Sequence, residues 1–600
     1  MTTNSVRIGG AAGFWGDSLD GARQLVVRGG VDFLVSDYLA EVTMSLLARA
    51  RKRRPDAGYV PDFIDAITPL LRDIRERGIR VISNAGGVNP AAAAAALQDR
   101  AQALGLAFKI AVVTGDDLMP RVKDLRHRQV KEMFTGAELP ASLLSANAYL
   151  GAKPIAAALD GGADIVITGR CVDSAVTLGA LVHHFGWSWS DWDRLAQGSV
   201  AGHLLECSTQ VTGGICTDWA EVPGWDDMGL PIADCNADGT FVISKPEDTG
   251  GLITPLTVGE QLLYEIGDPS AYVLPDVQCD LRHVRLLQAG DNRVQVLGAK
   301  GRPPTPHLKV SATYADGFRA IGTVTLAGRD AAAKAERAGE AIFARARRML
   351  ANRQLGDFTE TSMEVLGTQA TYGAAARAQA SQAREVVLKI GATHAEERAL
   401  EVFAREIIPA ASSMAQGLTG FFAGRPSVQP VVRLFSFLWP KADVLPVVTL
   451  AGNDTAIAFD AAPAQAAPQS TVSPVPASAP LAPTANVPLI ALAVGRSGDK
   501  GNCANIGIMA RRPEYLPWIK AALTEHRLKT WFAHTGVTKV ERFDLPGMHA
   551  INFLLHDALG GGGMASLRID PQGKAFAQML MDIDVAVPVA LTGSLTSRAT

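Results

Sequence analysis

Five short loops carry most of the residues able to move protons or hold an anion. They are GGAAGFWGDS (9–18), SDYLAE (36–41), SNAGGVNP (83–90), TGDD (114–117) and TGRCVDS (168–174). Between them they supply the carboxylates of Asp37, Glu41, Asp116 and Asp173 and the phenol of Tyr38. They also supply the amides of Asn84 and Asn89, the Gly86–Gly87 pair and the guanidinium of Arg170. A carboxylate or tyrosine beside a carbonyl can pass protons, amides can receive a developing oxyanion, and a planar guanidinium suits a carboxylate. Taken singly, each loop is equally well explained by side chains capping the next helix while glycines make the turn. Five such loops at one sheet edge would form a cleft.

Three further segments carry reactive groups. GRSGDKGNCANIG (495–507) sets Arg496, Asp499 and Lys500 among glycines, which would offer backbone amides and two cations to a phosphate or carboxylate. A tight turn with a local Asp–Lys pair is the competing reading. GHLLECSTQVTGG (202–214) brings His203, Glu206 and Cys207 together. Glu206 beside a thiol resembles a base and nucleophile, yet cysteine is more often a small buried apolar residue. His203 and Glu206 share a helical face, but two ligands without a third make no metal site. The basic ARARKRRP (48–55) reads as the solvated end of a helix.

Several chemistries lack their motifs. Gly9–Gly16 contains no GxGxxG and places Phe14–Trp15 where a pyrophosphate would lie, and no GxxxxGK[ST] occurs. No dinucleotide or ATP motif is therefore present. The six cysteines form no CxxC pair and are too sparse for a disulfide framework. Lys and Arg total 57 against 60 Asp and Glu, a net charge of −3, which argues against a nucleic-acid partner. The N-terminus reads as a first strand rather than a secretory signal, and no apolar run approaches the roughly 20 residues of a membrane span. The expectation is a cytoplasmic protein with no membrane partner.

These loops need a scaffold, and the first third of the chain reads as one. Apolar strands at 6–8, 31–35, 79–82, 106–113 and 163–167 alternate with helices at 19–28, 42–53, 61–77, from 89, and 174–184. Alternation of this kind implies a doubly wound, mostly parallel α/β sheet, with a closed barrel as the lesser alternative. From about 235 to 330 the segments become short, alternating and β-branched, predicting a β-rich, mainly antiparallel insertion. Helices return at 331–352 and at 394–408, the latter opened by Thr393 and Glu396 at capping-box spacing. A first domain over 1–460 is followed by an Ala/Pro-rich linker, 461–488, and a small α+β domain, 489–600. In the small domain, strands are expected at 489–494, 504–509, 539–544 and 566–569, with helices at 515–528, 549–559 and up to 579. Two βαβ-like units of that kind suggest a ferredoxin-like fold.

Six strings in order, IGGAAGFWGD, VDFLVSDYLAEVTM, VISNAGGVNP, ITGRCVDSAVTLG, GHLLECSTQVTGG and GRSGDKGNCANIGIMARRPEY, resemble the acyclic terpene utilisation family of the AtuA type. The first five resemble its large N-terminal domain and the last its small ferredoxin-like domain. The resemblance implies bacterial catabolism of terpenoid or branched-chain acids through acyl-CoA intermediates. A CoA thioester would then be substrate, and the partner a small-molecule carboxylate or acyl-CoA, with homo-oligomerisation left open. A hydratase or lyase would use Asp37 or Glu41 as base, with Tyr38 and Asp173 beside them. Asn84, Asn89 and the Gly86–Gly87 amides would polarise the carbonyl, and Arg170 would hold a carboxylate. Arg496 and Lys500 would reach a substrate phosphate if the small domain closes over the cleft. The alternatives are a non-catalytic binding or assembly subunit for an acyl-CoA enzyme, and a metal-assisted hydrolase using Asp116, Asp117 and Asp173.

Overall fold

The computed structural model describes residues 5–420, 424–460, 484–563, 565–593 and 595. Strands β1 (Ser5–Gly10), β2 (Phe33–Ser36), β3 (Arg80–Ser83), β4 (Ile110–Thr114), β5 (Ser145–Ala148) and β6 (Ile165–Thr168) begin the chain. β1, β2, β3, β6 and β4 lie side by side in that order, all parallel. β2 and β6 are buried at every position because both faces are covered. On one face Leu34, Val81, Ile165 and Ile167 meet Phe63, Ile67, Ile74 and Leu97 from the helices after β2 and β3. On the other, Phe33, Val35, Ile82 and Val166 meet Leu159, Leu178, Leu181 and Leu204 from helices Lys153–Asp160, Ala175–Phe185 and Trp192–Leu205.

The reversal explains the two layers. From β1 to β4 the chain steps one way across the sheet, and right-handed crossovers put its helices on one face. It then detours through β5, which pairs in a second sheet, and steps back to insert β6 between β3 and β4. That return places the later helices on the opposite face. The sheet is open rather than a barrel, its edges being Arg285–Gly290 and Asn453–Ala456.

The β-rich segment is not a separate insertion. β7 (Ile232–Asn236) runs antiparallel along β1, and β8 (Phe241–Ser244) continues outward, extending the same sheet. The segment also contains a helix, Pro255–Leu263, started by a Thr254–Thr257 capping box. The second sheet is built on the 21-residue strand His307–Ala327, which pairs with β5, Glu385–His394 and Gln429–Pro440. Helices Ala331–Asn352 and Glu397–Ile407 cover it, with Phe343 stacked on Phe403. No Thr393–Glu396 capping box forms. The strand continues through His394, whose Nδ1 accepts the Glu396 amide at 2.9 Å, so the helix starts only at Glu397.

Residues 461–483 of the expected linker lie outside the described residues, and Thr484–Pro488 is a strand paired with Asp584–Pro588. The small domain is two hairpins rather than two βαβ units. Ala493–Lys500 pairs with Cys503–Ala510, and Val540–Leu545 with Ala550–Leu555, in one four-stranded antiparallel sheet. Residues 550–555 form a strand, not a helix, because Ile551, Phe553 and Leu555 face the helices while Asn552 faces away. No strand forms at 566–569, where Arg568 instead bonds the carbonyls of Ala558 and Thr535. The strand expected at 489–494 begins only at Ala493, after a 3₁₀ turn.

Candidate active site

β3 and β6 are neighbours whose following loops leave towards opposite faces of the sheet. Their carboxyl ends therefore flank a crevice, the usual place for a ligand in an open α/β sheet. The loop after β3 supplies Asn84 and the loop after β6 supplies Arg170, both buried. Asp37, just beyond β2, accepts the Asn84 side-chain amide and the Leu39 N–H at 3.3 Å. The Asn84 carbonyl oxygen receives the Tyr38 N–H at 2.8 Å, so both ends of that side chain are used to fix the β2 loop. Burial, and then the Asp173 carboxylate, push the Asp37 carboxyl well above its usual range, against Arg170 and Asn84.

Asp116 anchors the Arg170 loop from below. Its Oδ2 accepts Arg170 N at 2.9 Å and Asn147 Nδ2 at 2.8 Å. A Cβ on Gly169 would lie 2.4 Å from the Asp116 carboxylate, so this approach requires glycine. Burial pushes Asp116 up to about 6, against those two donors. Arg170 donates to Asp173 at 2.6 Å and lies 4.2 Å over the Tyr149 ring. Its Nε is buried without a hydrogen-bond partner.

Beside it, the Tyr149 hydroxyl donates to Glu41 at 2.5 Å, and Lys309 Nζ stands 3.3 Å from the same carboxylate. Burial would raise Glu41, but Lys309, Arg170 and the Tyr149 hydroxyl outweigh it and hold the carboxyl below the usual range.

The opposite wall is the end of helix Trp192–Leu205. His203 Nδ1 pairs with Glu206 Oε1 at 2.9 Å, leaving His203 Nε2 and Glu206 Oε2 buried and without partners. Burial lowers the imidazole, but Glu206 prevails and raises it. Glu206 is itself raised by burial, against His203. The glycines after β1 permit this packing: a Cβ on Gly10 or Gly13 would lie 2.8 Å from the Leu205 or Glu206 carbonyl oxygen. Burial, then Glu206 and Glu265, push the Cys207 thiol well above its ordinary value, which disfavours the thiolate a nucleophile needs.

The small domain closes the cluster. Lys500 Nζ lies 3.5 Å from Glu265, and its ammonium is raised by Glu265, Asp173 and Glu206 after burial has lowered it. Burial and the Glu265 and Glu41 carboxylates push Asp499 up to about 7. Lys574 donates to the Tyr264 hydroxyl at 2.8 Å.

The structure thus gathers Asp37, Glu41, Asn84, Asp116, Arg170, Asp173, Asp499 and Lys500. Several expectations do not follow. Tyr38 packs its ring on Phe63 in the apolar cluster below β2, because its backbone, not its phenol, faces Asn84. Asn89 gives its side-chain amide to the Pro55 and Ala57 carbonyls. Gly86 and Gly87 are there for shape: a Cβ on Gly86 would lie 2.4 Å from Thr168 O, and Gly87 has φ +54° with its amide on Asn84 O. Arg496 is a docking residue, donating to Ile215 O at 3.0 Å and Gln210 Oε1 at 2.5 Å in the large domain.

Glycines of the 495–507 segment likewise seat a hairpin on the large domain rather than offer backbone amides to an anion. A Cβ on Gly498 would lie 2.3 Å from the Tyr264 ring, and one on Gly507 2.3 Å from Leu263 Cβ. Thr217 bonds both N–H and C=O of Gly495, and Arg511 grips Asp218 with two bonds of 2.7 and 2.8 Å. Asp117 points outward and caps Met119 N, so the triad with Asp116 and Asp173 is not assembled. Among the described residues, no group of three or more His, Cys, Asp and Glu could hold a metal ion. Also among them, no helix is long and apolar enough to cross a membrane.

Sequence reasoning passed over Tyr149, Lys309, Glu265 and Lys574. Tyr149 follows a strand and precedes Gly151, a weak loop signal, while Lys309 sits in an unremarkable β-branched run.

No curated protein and no solved structure matches the chain. Two family models do. That of the AtuA ferredoxin-like domain matches residues 487–586, and that described as acyclic terpene utilisation family protein AtuA matches residues 6–450. With three quarters of its length under one model and its small domain under the companion model, the chain belongs to the acyclic terpene utilisation AtuA family.

Proposed function

We propose that the chain is an enzyme that moves a proton beside the carbonyl of a small carboxylate or acyl thioester, as a hydratase or lyase does. The family name supports terpenoid or branched-chain acids, handled as acyl-CoA intermediates, as the substrate class. The observation that carries the reading is a set of buried polar atoms with no protein partner: Arg170 Nε, His203 Nε2 and Glu206 Oε2. They belong to side chains linked electrostatically through Asp37 and Asp173. Buried polar groups are normally satisfied, so a cluster of orphans on functional side chains is what a polar ligand would complete.

In this reading Arg170 and Lys500 receive the substrate's anionic end. Asp37, whose carboxyl burial raises well above its usual range, accepts a proton beside the carbonyl. His203, charged and aimed by Glu206, returns one from Nε2. Asn84 and Asp116 are positioning residues for Asp37 and Arg170.

The test is a thermal-shift screen of the full chain against CoA thioesters and branched carboxylic acids. A ligand of the native state raises the melting point by mass action. Turnover of any hit should then fall by about 10²-fold or more in Asp37→Asn and His203→Gln. Absence of any shift, or full turnover in both variants, would overturn the reading.

A further inference from the structure

A second cavity, of about 460 Å³, lies outside this cluster. Its size falls in the range of small-molecule pockets. The walls are flat and apolar: Trp189, Trp192, Phe459, Pro275, Pro303 and Pro304. At its base the buried Lys441 ammonium donates to Pro275 O at 2.6 Å and stands 5.8 Å from the Phe459 ring centroid.

The remaining charges facing Lys441 are Asp276, Asp460 and Lys153. Asp460 is engaged by Lys153 at 2.7 Å. Asp276 is buried, accepts Ala152 N at 2.7 Å, and its carboxylate lies where a Cβ on Gly151 would be, 2.3 Å away. Each carboxylate thus has a neighbour of its own besides Lys441. The Lys441 ammonium, with three donors, retains hydrogen-bonding capacity towards an acceptor in a low-dielectric pocket, where a charge-assisted bond is strong.

We propose that this cavity is a second ligand site, taking a flat apolar carboxylate. The hydrocarbon body lies between the tryptophans and prolines, and the Lys441 ammonium receives the carboxylate. The Ser188 and Ser190 hydroxyls, 2.8 Å apart at the rim, are within the same lining. Burial lowers Lys441 to about 8, against Asp276 and Asp460, so its charge, and with it the affinity for an anion, is lost as pH rises through that value.

The experiment is calorimetric titration of the full-length chain with 2-naphthoate, and with 2-naphthamide as the uncharged isostere. One site is expected, with affinity reduced about tenfold or more for the amide, for Lys441→Met and for Trp189→Ala. Affinity for naphthoate should be higher near pH 7 than at about pH 9. Arg170→Gln should bind naphthoate as the parent does. Three results would each overturn the proposal: no binding by the parent up to low-millimolar naphthoate, parent-like affinity in both Lys441→Met and Trp189→Ala, or loss of binding in Arg170→Gln with retention in Lys441→Met. Parent-like melting points confirm that a weakened variant is folded; should Trp189→Ala melt early, Lys441→Met and the amide decide.

Discussion

Nδ1 of His203 lies 2.9 Å from Oε1 of Glu206, three residues on, while Nε2 at the far side of the ring is buried without a partner. One carboxylate oxygen thereby fixes the orientation of the imidazole and leaves the other nitrogen free to act. Burial alone would keep the ring neutral; Glu206 reverses that balance.

Replacing Glu206 by Gln keeps the shape and removes the opposing charge. The His203 imidazole should then titrate below its ordinary value of about 6.5, because burial is no longer opposed by Glu206. An NMR titration of the ring, comparing parent and Glu206→Gln, reads this directly. Any measured activity that depends on His203 as an acid should lose its high-pH limb to a lower pH in the variant. An unchanged His203 titration would mean that the carboxylate does not control the ring.

Asp116 gives a stability signature of its own. Its folded value of about 6 exceeds the ordinary carboxylate value, so the native state holds this proton more tightly than the unfolded chain does. Its contribution is favourable at low pH and is lost as pH rises from about 4 through about 6. Asp116→Asn should flatten that part of the stability profile, since one carbonyl oxygen still accepts Arg170 N and Asn147 Nδ2. Asp116→Ala should instead cost about 1–3 kcal/mol for each stranded donor. Urea unfolding of both variants at pH 4 and pH 7 separates the cases.

The scaffold was far more legible than the site, for a physical reason. β1, β2, β3 and β6 are short apolar runs between turn residues, and a parallel strand buried on both faces is written locally in that way. Asp37, Asn84 and Arg170 were legible because they lie one or two residues beyond such strands. Tyr149 and Lys309 meet only because β5 pairs with His307–Ala327, more than 150 residues away, and no local pattern records that pairing. Likewise HAINFLLHDAL is an apolar run whose period shows only once Asn552 is seen bonding Ile266 O and Gly267 O across the domain junction. Gly498 and Gly507 were noticed, but their partners, Tyr264 and Leu263 at the end of helix Pro255–Leu263, are recorded by no local pattern for the same reason.

That docking can be tested by adding one carbon. A Cβ at Gly507 would lie 2.3 Å from Leu263 Cβ, a clash of backbone-proximal atoms that side-chain rotation cannot relieve. Gly507→Ala should lower stability by an amount on the order of 1–3 kcal/mol, as overpacking does, and lower the melting point. Were Gly507 there to offer its amide to an anion, the same change would leave stability nearly intact and weaken anion binding instead.

The Glu41–Lys309–Tyr149 contact predicts the acid limb. Glu41 is held below its ordinary value despite burial, so its contribution is present above the unfolded value of about 4.3 and is lost as pH falls further. Lys309→Met removes the nearest cation while Arg170 and the Tyr149 hydroxyl remain, so the Glu41 carboxyl should rise towards its ordinary value. Acidification from pH 7 to about pH 3 should then cost the variant less stability than the parent. Tyr149→Phe, which removes only the hydroxyl 2.5 Å from Glu41, should cost about 1–3 kcal/mol at pH 7 and keep most of the acid limb. Denaturant unfolding of the three proteins at the two pH values measures both effects, and identical acid sensitivity in the parent and Lys309→Met would show that Lys309 does not set the Glu41 charge.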